Sequence, residues 1–443
     1  MCLARSIGLG RDHVERRSGL ERAHERLRAV VAVPRARART ERGVLPAGAC
    51  PLHPSQQHVR LALAGGRRGG SGEVHIHSIA MRATRTRVAV SLLVLLTSIS
   101  VLTAQGPLLP PGGALSVLET YLESMRQQAG IPGMSAAVLR DEEIVWERGF
   151  GFQNLETRVR ATPDTPYLVG DITSTLAAVL LLQCVEQRHL DLDEPFRRYG
   201  LSQPEPDATL RQVLSHTAPD GAKQFVYSPE RFDKLTAVME RCAPQPFRKS
   251  IAHRILKPLS MLDSVPGLDL RDPQLSLPDD LFNPQDLERY RHVLDRMAAP
   301  YRVGSRSRPE RTEIPAMSLT ASNGLVTTVR DLARFDKALD AGSSGGLLLD
   351  ETLDLAWTPV VGPGGDILPT GLGWFVQSYK GERVVWHFGY IPNAYSSLFL
   401  KVPDRHLTFI LLANSDGLSA PFHLDDGDVT RSLFATLFLR LVK

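Results

Sequence analysis

The first 80 residues contain no Phe, Tyr, Trp, Lys or Asn, although Arg recurs there in runs such as RARARTER. A stretch that poor in large side chains cannot nucleate a core, so residues 1–80 read as a disordered, arginine-rich extension. Cysteine is scarce. The four present, Cys2, Cys50, Cys184 and Cys242, form no C-x-x-C pair and have no paired His at metal-site spacing, so neither a metal nor a cofactor is expected. Long apolar runs are also missing: VAVSLLVLLTSISVL, residues 88–102, has 15 residues, short of the roughly 20 that span a bilayer as a helix. Basic charge is absent where it would matter. The chain carries +4 overall, but residues 1–80 hold 14 Arg against six acids and residues 81–104 three Arg and no acid, which leaves −7 for residues 105–443. That acidic balance gives no basic face for nucleic acid.

What is present begins at Met81. MRATRTR, the apolar run and TAQG follow one another as a basic region, a hydrophobic region and a small-residue exit, the layout of a secretory signal peptide over residues 81–104. On that reading Met81 is the natural start and residues 1–80 belong to an over-extended gene model. The competing reading keeps the apolar run uncleaved as a membrane anchor, the one route by which a membrane becomes a partner. Residues 105–114 form a Pro/Gly-rich linker and residues 115–443 one enzyme-sized domain.

Within that domain the spacing of Leu115, Val117, Leu118, Tyr121 and Leu122 predicts a helix ending at Gly130. MSAAVLRD and EEIVWERGFGFQN meet at the acidic turn Asp141, Glu142, Glu143 as a β-hairpin. DITSTLAAVLLLQCVEQ lacks Gly and Pro and is apolar almost all round, which predicts a buried helix. A Pro-punctuated helical middle follows, with GLDLRDPQLSLPDD as a surface loop. WFVQSYK, ERVVWHFGY, SSLFLKVP and HLTFILLANS then read as strands, and DVTRSLFATLFLRLV as a closing amphipathic helix. The expected fold class is α+β: a central antiparallel sheet formed from N- and C-terminal strands, flanked by helices, with a mainly helical middle. Cys184 and Cys242, each in a helical pattern, are expected as buried free thiols rather than a disulfide.

This order, with the strings PYLVGDITSTLAAVLLLQCVEQRHLDLDEPF, TLRQVLSHT, FVYSPERF, ILKPLSML and NGLVTTVRDLARF, resembles the serine β-lactamase and penicillin-binding-protein superfamily. The nearest branch is that of class C β-lactamases, esterases and D-aminopeptidases, and the likeness runs from about Leu115 to the end. It implies an exported bacterial serine hydrolase whose helix start carries S-x-x-K, a serine nucleophile and a lysine one turn later. Here those positions are Asp171 and Ser174, within Gly170–Ser174. None of the eight lysines has a Ser three residues before it. The family's Tyr-x-Asn resembles Tyr227, Ser228, Pro229, which keeps the phenol and loses the amide. Its third motif resembles His387, Phe388, Gly389, and the implied oxyanion hole consists of the N–H groups of Tyr390 and Asp171.

Several readings stay open. Asp171 is either a substitute nucleophile or base, or a first-turn carboxylate favoured by the helix dipole; the second weighs more because Ser174 cannot replace a cation. Tyr227 is a cleft acid/base group or a half-buried packing residue. His387 is read as cleft-facing and His216 as fixing a turn. Gly342–Gly346 matches G-x-S-x-G but has no preceding strand to build a nucleophile elbow, so it reads as a loop. Removing a nucleophile and its base together costs on the order of a million-fold in turnover. The favoured function is therefore a catalytically disabled, exported binding protein for a small acyl, peptide or peptidoglycan-like ligand. An active hydrolase using Asp171 or Tyr227 and a membrane-anchored structural protein are the alternatives.

Overall fold

The computed structural model describes residues 111–441 apart from 202–204, 218–224, 244, 273, 279–280 and 305–306. The arginine-rich extension, the segment read as signal or anchor, and residues 105–110 of the linker lie outside the described residues. Among those described, no helix is long and apolar enough to cross a membrane.

Helix α1 (Pro111–Ala129) starts inside the expected linker, with proline in the first turn, where its missing N–H costs nothing. Leu118, Leu122 and Met125 bury one stripe of it, while Tyr121 faces outward. Gly130, at φ 71°, ends the helix in the left-handed conformation. Strands β1 (Gly133–Arg140) and β2 (Glu143–Asn154) form the expected hairpin. Its turn residues Asp141 and Glu142 both have positive φ, as a two-residue turn matching strand twist requires.

The main sheet has seven strands in the order β3-β2-β1-β12-β11-β10-β9, each pair antiparallel. Here β3 is Val159–Arg160, β9 Phe375–Tyr379, β10 Glu382–Ile391, β11 Tyr395–Val402 and β12 Leu407–Ala413. The first long strand therefore lies beside the last, with Ala137 opposite Ile410. Both faces are covered, which explains why β1 and β12 are continuously apolar. Met134, Ala136 and Val138 point into the core shared with α1 and the C-terminal helix α10 (Leu433–Leu441). Ala137, Leu139, Ile410 and Leu412 point into the larger core built on helix α2 (Thr173–Glu186). A smaller sheet joins β4 (Tyr167–Leu168), β8 (Leu325–Thr327) and β5 (Val265–Pro266), and β6 (Tyr301–Val303) pairs with β7 (Pro309–Arg311).

The middle is helical as expected but more broken: α3 (Leu210–Leu214), α4 (Pro229–Phe232), α5 (Leu235–Cys242), α6 (Phe247–Ile251), α7 (Pro284–Asp295), α8 (Val329–Asp340) and α9 (Asp350–Ala356). Two expectations need correction. Cys184 and Cys242 are not free thiols: they form a disulfide between α2 and α5, with Cα atoms 6.2 Å apart, inside the range a disulfide accepts. The stretch read as a surface loop is partly core, because Leu268 and Leu270 are buried and Asp269 is held by a bidentate contact from Arg248 at 2.7 and 2.6 Å. Gly342–Ser344 is a short turn after α8 and follows no strand.

Candidate functional site

Strand β9 pairs with β10 only as far as Phe375 opposite Trp386. Beyond that point the flank of β10 is taken by the turn Gly170–Ile172 that leads into α2. Two glycines permit this approach. At Gly170 (φ 58°) a Cβ would lie 2.9 Å from the Tyr390 nitrogen, and at Gly389 it would lie 1.9 Å from the Val169 carbonyl oxygen. Ser397 Oγ fixes the same junction by donating to that carbonyl at 2.7 Å. The outcome is a backbone-to-backbone seam in which the N–H groups of Tyr390 and of Asp171 itself both donate to the Asp171 carboxyl.

Asp171 is 4% exposed. Burial pushes its pKa up to about 8; the two N–H bonds pull it down, and the negative charges of Asp233 and Glu230 push it further up. Burial thus outweighs the two N–H bonds and shifts the carboxyl toward its protonated form. Ser174, three residues on in α2, is also buried.

Tyr227 sits half-buried in a ring of aromatic side chains. Its centroid is 4.7 Å from His216, 5.3 Å from Phe375, 5.3 Å from Phe388 and 6.2 Å from His387. Its phenol is held protonated well above the usual range, by burial first and then by the charges of Asp171, Asp425 and Glu230. His387 is buried, with Nδ1 2.8 Å from the Phe388 carbonyl oxygen. Because a carbonyl only accepts, Nδ1 carries the proton and Nε2 is left as an acceptor. Burial lowers the His387 pKa to about 4. His216, at φ 52°, accepts the Ser228 N–H on Nδ1 at 3.2 Å, which locks the turn before Tyr227. Its pKa falls to about 3 through burial, with the neighbouring His387 and Arg231 adding to the shift.

Residues 118–430 match the family model described as Beta-lactamase. The chain belongs to the β-lactamase family. It is 20% identical to Protein flp of Staphylococcus aureus (strain NCTC 8325 / PS 47) over 363 residues, covering 72% of this chain and 68% of that protein. A segment of 110 residues is 31% identical to the human mitochondrial serine beta-lactamase-like protein LACTB, over 23% of this chain and 20% of that one. Among solved structures, the octameric penicillin-binding protein homologue from Pyrococcus abyssi aligns with TM-score 0.58 at 21% identity, over 74% of this chain and 77% of that one. The beta-lactamase/D-alanine carboxypeptidase from Pseudomonas syringae aligns with TM-score 0.55 at 16% identity, over 74% of this chain and 98% of that one.

Set in a β-lactamase fold, the sequence-derived residues fall around one seam. Asp171, Gly389 and Tyr390 meet through backbone atoms, and Tyr227 and His387 stand together beside them. The second motif has become a helix start: Ser228 caps α4 by accepting the Arg231 N–H at 3.2 Å, and Pro229 occupies the first turn. Sequence reasoning missed the aromatic neighbours Phe375 and Phe388, and treated His216 as a turn residue without its ring contact to Tyr227. It also missed the buried cluster of Lys401 with Asp336, Asp340 (2.9 Å) and Thr408 (3.1 Å), which ties β11 to α8. The i, i+4 acids of DKALD and a lysine inside an apolar strand were its signal. Among the described residues, no group of three or more His, Cys, Asp or Glu side chains is arranged to hold a metal ion.

Proposed function

We propose that this β-lactamase-family protein is catalytically silent and serves as an exported binding protein, whose ligand is a small acyl, peptide or peptidoglycan-like compound. One observation carries the reading: the group in the nucleophile's place is a buried carboxyl that already uses the two N–H donors an acyl oxygen would need. A protonated carboxylic acid is a poor nucleophile, and Ser174 offers no cation to activate one. Lys401, the buried lysine, is paired with two aspartates at α8. Export is supported by the signal-like segment from Met81 and, independently, by the Cys184–Cys242 disulfide, since such bonds persist mainly in oxidising compartments.

Repair tests the reading. Asp171→Ser with Ser174→Lys should raise hydrolysis of a chromogenic ester or cephalosporin above the wild-type background. Wild-type turnover at an enzyme's rate, abolished by Asp171→Ala, would overturn the proposal.

A further inference from the structure

Asn323 and Gly324 form the only Asn-Gly pair in the sequence, at the turn that leads into β8. Gly324 has φ 103°, and a Cβ there would lie 2.6 Å from the Ser318 carbonyl oxygen, so the position admits no side chain that could screen its nitrogen. That nitrogen donates to Asn323 Oδ1 at 2.8 Å. A carbonyl carbon lies about 1.2 Å from its oxygen, which puts Asn323 Cγ within about 4 Å of the Gly324 nitrogen. The donated bond also fixes which end of the carboxamide is which: the near atom is the oxygen, and Nδ2 donates to no described residue. Asn323 itself is half-buried.

The other four asparagines lack this arrangement. The N–H that follows Asn154 donates to the Tyr301 hydroxyl at 2.8 Å, and the one that follows Asn393 donates to the Ile391 carbonyl at 3.1 Å. Asn283 is followed by proline, which has no N–H. Asn414 is fully buried and held at both ends of its carboxamide: Oδ1 accepts the Gly133 N–H at 2.7 Å, and Nδ2 donates to the Phe152 and Gln153 carbonyls at 3.2 Å.

We propose that Asn323 is a site of spontaneous covalent modification in the folded protein, where the Gly324 nitrogen closes onto Asn323 Cγ and the resulting ring opens to aspartate and isoaspartate. Hydroxide removes the Gly324 amide proton, and the nitrogen attacks Cγ. A C–N bond forms as the Cγ–Nδ2 bond breaks, and the side-chain nitrogen takes a proton from water and leaves as ammonia. Water then adds to one of the two carbonyls of the five-membered imide. Opening at Cγ gives aspartate, whereas opening at the Asn323 backbone carbonyl routes the main chain through Cγ as isoaspartate. Either product has lost ammonia, gained water and acquired a carboxylate.

Isoaspartate lengthens the backbone by one methylene where little movement is free. Leu325, the next residue, accepts the Val169 N–H at 3.1 Å and directs its own N–H to Thr173 Oγ1 at 3.4 Å, so the longer turn pulls on both sides of Asp171. Upstream, Ala321 and Ser322 are anchored by Thr236 and Asp233 at 2.8 and 3.1 Å through their N–H groups. The modification is a change in the chain itself and is independent of whether catalysis is silent.

The test holds the native full chain for days at mildly alkaline pH, then digests it and reads each peptide by mass spectrometry with electron-transfer fragmentation. The peptide carrying Asn323 should gain about 1 Da as a mixture of aspartate and isoaspartate. It should do so at least about tenfold faster than any other asparagine peptide, because proximity of the reacting atoms is worth orders of magnitude in rate. Conversion should quicken as pH rises, since the attacking nitrogen must first lose its proton, and Asn323→Gln should lack it. An Asn323 peptide that keeps its mass in native protein while the denatured chain converts would overturn the proposal, as would conversion spread evenly over the five asparagines. The isoaspartyl form, separated by anion exchange, should melt a few degrees below wild type, and Asn323→Asp, which has the charge without the extra methylene, should not. Equal melting of the isoaspartyl form and wild type would reject the strain at the start of α2.

Discussion

The backbone N–H of Tyr390 donates to the carboxyl of Asp171. This joins the end of β10 to the turn that starts α2. Since the carboxyl is buried and raised to about pH 8, the native state holds a proton there that the unfolded chain, with an ordinary aspartate near 3.9, releases.

The sign of the resulting pH dependence is fixed. A raised native pKa favours the native state fully below about pH 4, and that advantage is lost as pH climbs through 8. Asp171→Asn never ionises. Relative to wild type it should gain stability steadily from pH 4 upward, on the order of 4 kcal/mol by pH 7. Urea unfolding at acid, neutral and alkaline pH checks this; a difference independent of pH contradicts it.

His387 works in the opposite direction. Its native pKa of about 4 lies below the ordinary 6.5, so its contribution is present above about pH 6.5 and lost as pH falls. His387→Asn keeps a donor for the Phe388 carbonyl and cannot charge. The stability difference between wild type and this variant should shrink by about 3 kcal/mol between pH 6.5 and pH 4.

The Cys184–Cys242 bond closes a loop of sequence separation 58 and fastens α2 to α5. Loop-closure entropy puts its contribution at about 4 kcal/mol, an upper figure for a bond of this span. Replacing both cysteines with alanine should lower stability by about 2–4 kcal/mol, and the reductant sensitivity of wild type should vanish with them. Alkylation of both thiols in native, unreduced protein would contradict the pairing.

Lys401 is buried between Asp336 and Asp340. Lys401→Ala strands the buried Asp336 carboxylate and should cost about 3–5 kcal/mol, whereas removing Asp336 as well should recover part of that loss. A double-mutant cycle by chemical denaturation measures the coupling, and strict additivity would deny it.

The architecture was legible because local signals agreed with one another. The acidic turn Asp141, Glu142, Glu143 marked the hairpin, and the Gly- and Pro-free run after Gly170 marked the central helix. Pairings distant in sequence were harder to read: nothing at Cys184 indicates Cys242, and the lysine in an apolar strand at Lys401 marks a buried charge without saying that its partners lie on α8. The site was half legible. Its residue identities could be read from motif positions, but the charge of Asp171 could not, because the helix-start argument that predicted a carboxylate takes no account of burial. The ring contact between His216 and Tyr227 likewise follows from a left-handed turn that no residue type at position 216 announces.

The claim on which all else rests is that no acyl group can be trapped at the start of α2. Intact-protein mass spectrometry after exposure to a penicillin and to a fluorophosphonate tests it most directly. The unmodified mass is the expected result with both reagents. A covalent adduct mapping to the peptide that contains Asp171 and Ser174 would contradict it.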